Sequence, residues 1–258
     1  MDGLSLILPT LEERENVEEL VPRLLRELPE LVEVIVVDDS SADGTPEAVE
    51  RLAARDARVR LVRRSGRPCL RAALQEGIDA SRGSLIGWMD ADQAMGPEDV
   101  AGLIAAVRDG ADVAIGSRFV AGGHIKGQTT EGIGERVRAL FRLRTSRDPW
   151  LGVALSWALN AAVLPLVVGG GVHDYTSGII VLKRAALEGV HLRGDHGEYF
   201  VELWAELAAR GHRIVELGYS IQPRRFGRSK TGEDLGDYAR RGARYLAAGL
   251  RARRIWPG

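Results

Sequence analysis

The 258-residue chain has little of what several common classes of protein need. Cys69 is the single cysteine, so no intrachain disulfide can form and a reducing compartment is the expected setting. The amino terminus carries no basic segment followed by an apolar stretch of signal-peptide length, and the sequence therefore predicts a cytoplasmic protein. The formal net charge is −1, whereas nucleic-acid-binding domains are usually strongly basic, so no nucleic-acid partner is expected.

Two phosphate-binding motifs are also missing. Neither Gly-x-x-x-x-Gly-Lys nor Gly-x-Gly-x-x-Gly follows the first predicted strand, which argues against a P-loop NTPase and a Rossmann dehydrogenase. The five histidines have no metal-ligand spacing and are interpreted as structural or surface groups. Residues 150–172 carry no charge, but Ser156, Asn160 and Pro165 dilute their apolar character. A buried or interfacial helix is therefore favoured there over a membrane span.

The chain does contain a regular alternation of two hydrophobic patterns, one typical of buried strands and one typical of amphipathic helices. From residue 4 to residue 118, short apolar runs alternate with segments whose apolar residues recur at helical spacing. This order predicts an α/β fold with a mainly parallel central sheet and helices on both faces. Beyond it, the sequence predicts a strand at 179–182, a helix at 199–210, a strand at 213–221 and a helix from residue 233.

Pairs of carboxylates follow two of the predicted strands. Asp38 and Asp39 follow the strand at 32–37, and the strand at 84–89 runs directly into Asp90-Ala-Asp92. The carboxyl ends of parallel strands meet at one edge of a sheet, where open α/β folds bind ligands. An Asp-x-Asp pair supplies the hard oxygen ligands that Mg²⁺ or Mn²⁺ prefers when the ion also binds phosphate. A lone Asp-x-Asp is more often a solvated turn, so the neighbouring motifs decide between the two interpretations.

Six short motifs occur along the chain. They are Pro9-Thr-Leu-Glu-Glu-Arg-Glu-Asn16, Val36-Val-Asp-Asp-Ser-Ser-Ala-Asp-Gly-Thr45, Met89-Asp-Ala-Asp92, Gly116-Ser-Arg118, Asp174-Tyr-Thr-Ser-Gly178 and Arg224-x-x-Gly-x-Ser-Lys230. In this order and spacing they resemble family 2 glycosyltransferases over about residues 4–232. The most similar group is dolichyl-phosphate mannose synthase with its polyprenyl-phosphate glycosyltransferase relatives.

The resemblance implies a GT-A fold and a metal-dependent transfer that inverts the anomeric carbon of a hexose. The implied donor is GDP-mannose or a UDP-sugar, and the implied acceptor is a polyprenyl or dolichyl phosphate at the cytoplasmic membrane face. Mg²⁺ or Mn²⁺ would be bound by Asp90 and Asp92. Ala94 stands where some relatives have a third ligand, so Gln93 or a water molecule would take that role. The catalytic residues would be Asp92 and Arg118.

Further site residues follow from matching positions in the same motifs. The donor-binding set is Pro9, Thr10, Glu13, Asp38, Asp39, Asp90, Arg224, Ser229 and Lys230. The set on the acceptor and sugar side is Arg118, Arg144, Arg147, Asp174, Thr176, Ser177 and Glu198.

Departures from the family pattern keep alternatives open. Leu11 replaces an aromatic residue beside the base, so the identity of the donor base stays open. Gly152 replaces an arginine that contacts the acceptor phosphate, so either Arg144 or Arg147 supplies that cation or the acceptor is a hydroxyl group of a soluble molecule.

A hydroxyl acceptor needs a base, for which the candidates are Asp195 and Glu198. Both also suit helix capping. A catalytically silent sugar-nucleotide-binding subunit is the third interpretation.

The sequence predicts a GT-A domain at residues 1–232 and a basic amphipathic helix at 233–258. Within the domain, residues 1–118 would form the nucleotide-sugar half and residues 119–232 the acceptor half, with an Arg-rich insertion at 121–148 and an apolar helix at 149–168. In the terminal helix, leucines and tyrosines lie opposite arginines. Such a helix packs on the domain or lies on an anionic bilayer, so a membrane surface or a membrane-protein partner is a further expectation.

Overall fold

A seven-stranded sheet forms the centre of the computed structural model, which describes residues 3–123, 159–219 and 235–256, with the backbone alone at 161 and 235–239. The strand order is β3-β2-β1-β4-β6-β5-β7, and only β6 runs antiparallel to its two neighbours. The strands are β1 (Leu4–Thr10), β2 (Leu31–Asp38), β3 (Val59–Arg63), β4 (Leu85–Trp88), β5 (Val113–Ser117), β6 (Ile180–Lys183) and β7 (Ile214–Gly218).

Helices cover both faces of this sheet. Those of the first half are α1 (Arg14–Glu27), α2 (Thr45–Ala53), α3 (Leu70–Ala80) and α4 (Pro97–Arg108). The second half contributes α5 (Leu164–Val168), which continues a π-helical turn (Leu159–Val163), followed by α6 (Tyr199–Ala209) and α7 (Leu235–Ile255). A single 3₁₀ turn (Arg184–Leu187) follows β6.

The two faces have separate hydrophobic cores because side chains alternate along each strand. In β1, Leu6 and Leu8 pack into the core under α1, α2 and α4, whereas Ile7 packs into the core under α3, α5, α6 and α7. The predicted α/β fold with helices on both faces is confirmed. Predicted strand and helix boundaries in the first half agree with the structure to within a few residues.

The antiparallel strand β6 brings its amino end to the edge where the parallel strands have their carboxyl ends. The backbone N–H of Gly116 in β5 donates to the carbonyl oxygen of Ile179, 3.0 Å away, just before β6 begins. A Cβ atom at Gly116 would overlap Cγ2 of Ile179, so the close approach requires glycine. The segment before β6 therefore lies beside the ends of β4 and β5.

The carboxy-terminal helix α7 packs on α5 and α6. Ala248 and Ala252 are fully buried in this contact, and the rings of Trp204 and Trp256 meet edge to face with centroids 4.9 Å apart. The Arg251 guanidinium forms an ion pair of 2.7 Å with the buried carboxylate of Glu202. Among the helices in the described part of the chain, none is both long and apolar enough to cross a membrane.

Candidate active site

The carboxyl ends of β1, β2 and β4 place two carboxylate pairs at one edge of the sheet. In the parallel register Thr10 lies opposite Asp38, and the N–H of Asp39 donates to the carbonyl oxygen of Thr10 over 2.8 Å. Strand β1 lies between β2 and β4, so Asp38-Asp39 and Asp90-x-Asp92 flank Pro9 and Thr10 from two sides. The structure thus brings together the donor-binding residues expected from the first three motifs.

Asp38 holds the loop that follows β2. Its buried carboxylate accepts a hydrogen bond of 3.0 Å from the N–H of Ser41, and the Thr10 hydroxyl lies 3.4 Å from its other oxygen. Both carboxylate oxygens therefore have protein donors. This geometry fits a residue that shapes the loop for a ligand.

Asp39 is buried with an arginine that sequence reasoning missed. Arg64, the first residue after β3, forms an ion pair with one carboxylate oxygen, and the N–H of Cys69 donates to the other over 2.5 Å. Arg64 also binds Glu76 at 2.8 Å. Burial alone would lower the pKa of Arg64, but Glu76 and Asp39 raise it overall. Arg64 therefore stays cationic beside Asp39. The available signal was its position directly after a strand that ends at this edge.

Glu13 lies where the loop after β1 is bound to the loop after β2. Its N–H donates to the Thr45 hydroxyl over 3.0 Å, and its carboxylate accepts a 2.6 Å hydrogen bond from the Asn16 amide. The N–H of Arg14 donates to Asp43 over 3.1 Å. Burial would raise the pKa of Asp43, but hydrogen bonds from Thr45 and the Arg14 backbone lower it overall. These bonds hold the two loops together on one side of the site.

Asp90 and Asp92 differ in exposure. Asp90 is exposed, Ala91 between them is buried, and Asp92 is half-buried and accepts a 3.0 Å hydrogen bond from the N–H of Ala94. A Cβ atom at Gly178 would lie 2.9 Å from Oδ2 of Asp90, so the segment before β6 runs directly beside this carboxylate.

The Asp-x-Asp pair fits a divalent cation that is also bound by phosphate. Two hard carboxylates at an open edge suit Mg²⁺ or Mn²⁺, which commonly take their other ligands from phosphate oxygens and water. Within residues 3–123, 159–219 and 235–256, no cluster of three or more His, Cys, Asp or Glu side chains is placed to hold a metal.

Gln93 is oriented toward α1. It adopts a left-handed backbone conformation with φ of 61° and is only 6% exposed. Its amide nitrogen donates to Asn16 and to Glu19, both over 3.2 Å, while its amide oxygen is buried without a hydrogen-bond partner. Its role as a third metal ligand stays a prediction. That role requires the amide oxygen, the one polar atom of this side chain that the protein leaves unbonded.

On the other side of the site, Arg118 after β5 pairs with Asp174 before β6. The two nitrogen-to-oxygen distances of this bidentate pair are 2.7 and 2.6 Å, and the Arg118 backbone N–H adds a third bond of 3.1 Å. Asp174 is fully buried. Burial would lower the pKa of Arg118, but the charge of Asp174 raises it overall, so the guanidinium is permanently charged. Thr176 accepts a further hydrogen bond from it.

The other residues of this loop form bonds within the protein. Asn160, in the π-helical turn, donates to the Thr176 hydroxyl over 2.9 Å and accepts from the N–H of Tyr175 over 2.8 Å. The Ser177 hydroxyl lies 2.7 Å from the carbonyl oxygen of Gly116. Asp174, Thr176 and Ser177 thus lie in the loop that reaches Asp90 at Gly178, and in this structure their polar atoms hold the loop in place.

Glu198 lies in the turn that leads into α6. Its buried carboxylate accepts hydrogen bonds from the N–H groups of Asp195 and His196, at 3.0 and 3.2 Å. The Tyr245 side chain of α7 lies nearby, and burial together with the charge of Glu198 raises the pKa of its phenol. Glu198 therefore organises the turn before the helix, and sequence reasoning missed Tyr245.

Some expected site residues lie outside the described residues. These are the acceptor-side arginines and the last donor-binding motif: Arg144, Arg147, Arg224, Ser229 and Lys230.

The chain matches the family described as Glycosyl transferase family 2 over residues 5–189. It belongs to that family. It is 33% identical over 231 residues to polyprenol monophosphomannose synthase of Mycolicibacterium smegmatis, covering 87% of this chain and 79% of the relative. It is 30% identical over 239 residues to dolichol-phosphate mannosyltransferase of Pyrococcus furiosus, covering 92% and 62%. The resemblance noted from the motifs and the expected enzyme class, a glycosyltransferase, are confirmed.

A solved structure also resembles this one. Glucosyl-3-phosphoglycerate synthase from Mycobacterium tuberculosis, in complex with Mn²⁺, UDP and glucosyl-3-phosphoglycerate, superposes with a TM-score of 0.67 at 18% identity. The match covers 97% of this chain and 80% of that one. At this identity the likeness establishes the GT-A fold alone.

Proposed function

We propose that this chain transfers a hexose from a nucleotide-diphosphate sugar to a polyprenyl phosphate. The observation that carries the proposal is the contact between Asp90 and the segment before β6 at Gly178. Gly178 follows Asp174, the partner of Arg118, by four residues, so this contact supports a site in which a cation at Asp90 and the Arg118–Asp174 pair serve the same reaction. The names of the relatives, a polyprenol monophosphomannose synthase and a dolichol-phosphate mannosyltransferase, support this acceptor class.

On the donor side, the residues would bind the nucleoside and its diphosphate. Asp39, paired with Arg64, and Glu13 would contact the nucleoside, and Asp38 would shape the loop between them. Asp90 and Asp92 would hold Mg²⁺ or Mn²⁺, which supplies positive charge to the departing diphosphate. Preorganised charge aimed at a leaving group is the most effective form of transition-state stabilisation.

On the acceptor side, the proposal needs no general base. The second pKa of a phosphate monoester lies near 6, so the acceptor is largely dianionic at neutral pH and can attack the anomeric carbon directly. Arg118, held in orientation by Asp174, would attract that phosphate. Both oxygens of Glu198 already bind backbone N–H groups, which argues against a role as base. A single displacement of this kind inverts the anomeric carbon.

Several finer parts of the proposal rest on the motifs alone. The donor would be GDP-mannose or a UDP-sugar, and Arg224, Ser229 and Lys230 would close over its phosphates. Arg144 or Arg147 would add to the acceptor-phosphate site. Residues 1–232 would form the catalytic domain, with residues 233–258 as a terminal helix, and the enzyme would act at the cytoplasmic membrane face.

The test is transfer of labelled sugar. The protein is incubated with Mg²⁺ or Mn²⁺ and a panel of labelled nucleotide sugars, with and without a polyprenyl phosphate, and the products are extracted into organic solvent. Label in the organic phase that requires the lipid and the cation supports the proposal, and the anomeric configuration of the product tests inversion. Label in a new aqueous product would assign a soluble hydroxyl acceptor instead. No turnover with any pair would favour the silent binding subunit.

A further inference from the structure

The outer surface of α5 and α7 exposes leucines. Among the described residues, the large hydrophobic side chains that are exposed are Leu166, Leu246 and Leu250, at 80%, 41% and 58%. Leu166 belongs to α5, and the other two belong to α7. The sequence pattern grouped Leu246 and Leu250 with the tyrosines on one helix face. The structure instead buries the small residues of α7 and leaves these leucines outside.

The packing of α7 explains this reversal. Ala248 and Ala252 are fully buried, and Gly249 lies so close to α5 that a Cβ atom would be 3.0 Å from Cγ1 of Val167. Small residues let the two helices approach closely. Leu246 and Leu250, four residues apart on the same stripe, then flank this contact on its outer side. These two leucines and Leu166, which is exposed on the neighbouring helix α5, are here called the leucine face.

Two of the three leucines of the leucine face lie on a strongly cationic helix. Helix α7 contains six arginines and one aspartate, a formal charge of +5. Arg253 and Arg254, close to Leu250 in the chain, are exposed, and a guanidinium nitrogen of Arg253 lies 3.3 Å from the carbonyl oxygen of Val167. Exposed leucines beside arginines are the composition of helices that lie in a membrane interface.

We propose that the leucine face docks onto the surface of an anionic lipid bilayer. Leucines would enter the acyl boundary while the arginines bind lipid phosphates, and each cation near an anionic surface adds to the attraction. A second copy of this chain is a poorer occupant because a two-fold interface would bring two +5 helices together. The inference rests on exposure and charge, and it stands apart from the transfer reaction.

The position of the leucine face suits a reaction at a membrane. Asn160, which binds Thr176 in the candidate site, precedes Leu166 by six residues, on the order of 10 Å along a helix axis. At the other helix, the Tyr245 hydroxyl is so near Gly197 that a Cβ atom there would be 2.5 Å away. A docked leucine face would therefore hold the candidate site close to the bilayer surface.

The test is vesicle sedimentation of the full chain without donor or acceptor. We expect binding to vesicles of phosphatidylcholine and phosphatidylglycerol in equal amounts, weakened by salt and weaker for phosphatidylcholine alone. Leu166→Gln, Leu246→Gln and Leu250→Gln in one variant should reduce binding about tenfold or more. Arg253→Gln with Arg254→Gln should also weaken it, whereas Arg26→Gln with Arg55→Gln removes equal charge elsewhere and should retain more binding.

Three results would overturn the proposal. The first is no binding of the unaltered protein to the anionic vesicles, and the second is binding that the triple leucine variant leaves unchanged. The third is a dimer, seen by light scattering, that the leucine variant dissociates, because it would assign this face to a second copy. Thermal melting checks that the exposed substitutions leave the fold intact. Because vesicle binding is measured without substrates, it can succeed or fail independently of glycosyl transfer.

Discussion

The two sides of the candidate site are built in different ways along the same sheet edge. On the donor side, each polar residue follows its own parallel strand within a few positions, as Asp39 follows β2 and Asp90 follows β4. On the acceptor side, Arg118 and Asp174 are 56 residues apart and meet only because β6 pairs with β5 in the opposite direction. The first side depends on local order, and the second depends on long-range pairing.

This difference has a physical cause. Parallel strands joined by helices place all their carboxyl ends at one edge, so the donor side is determined once the alternation of strands and helices is known. An antiparallel strand contributes its amino end to that edge instead. The segment before β6 is therefore positioned by the sheet, and the ion pair between its Asp174 and Arg118 after β5 stabilises that arrangement.

The largest expected effect is on the donor side. Asp92→Asn keeps the size of the side chain and removes the charge that would bind the cation, so we expect turnover to fall by about 10²–10³-fold. The measurement is initial-rate transfer at saturating donor. Asp109→Asn, at the exposed end of α4, is the matched control and should leave turnover unchanged. Full activity of the Asp92 variant would show that its carboxylate does not bind the cation, and the donor side would then lack its proposed metal site.

The next effect concerns the stability of the acceptor side. Asp174→Ala leaves the guanidinium of Arg118, which is 15% exposed, without its main partner, and breaking such a buried pair costs about 3–5 kcal/mol of unfolding free energy. Urea unfolding measures the loss. Arg118→Met with Asp174→Leu should recover much of the stability without restoring transfer.

A control for this pair lies on the surface. Arg63 and Glu47 form an ion pair in which both side chains are more than half exposed, so Glu47→Gln should change stability by about 0–1 kcal/mol. Equal losses at the two pairs would contradict the claim that long-range pairing builds the acceptor side.

A smaller effect is expected for Arg64. Arg64→Met removes the cation that pairs with Asp39 and holds its carboxylate in orientation, so KM for the donor should rise about tenfold with a smaller change in kcat. The neighbouring and exposed Arg63→Met is the matched control. If both variants have the same KM, Arg64 has no part in donor binding, and the donor side is built from the strand-end aspartates alone.

The smallest expected effect is on the pH dependence of stability and concerns Glu33, which lies away from the site near the amino end of β2. Burial would raise the pKa of Glu33, but hydrogen bonds from Ser5, Arg60 and the Arg82 backbone lower it below its ordinary value of 4.5. Its contribution to stability is therefore complete above pH 4.5 and is lost as the pH falls through the lowered pKa.

Urea unfolding from neutral pH downward tests this expectation. Glu33→Gln should flatten the acid limb of the stability profile without changing KM. Glu98→Gln, at a side chain 69% exposed, is the control and should leave the profile as it is. An altered KM in the Glu33 variant would mean that the two ends of the donor half are coupled.

Much of the donor side could be predicted because its signals are local. The alternation of apolar periods predicted β1, β2 and β4, and the strand ends predicted where Asp39 and Asp90 would lie. Arg64 was missed because its position after a strand points to the site only once its partner Asp39 is known. Gln93 was expected at the cation, but its amide nitrogen binds α1, which only the fold of that loop reveals.

The sequence by itself determined the α/β fold, the family and the place of the carboxylate pairs, because these depend on short-range periodicity and on motifs in a fixed order. Only the tertiary structure decided the pairing of Arg118 with Asp174, the use of Glu198 to hold a turn, and which side of α7 faces outward. Each of these depends on which distant segment occupies the neighbouring space. For α7, the close approach of α5 admits only small side chains, and the leucines are left on the outer surface.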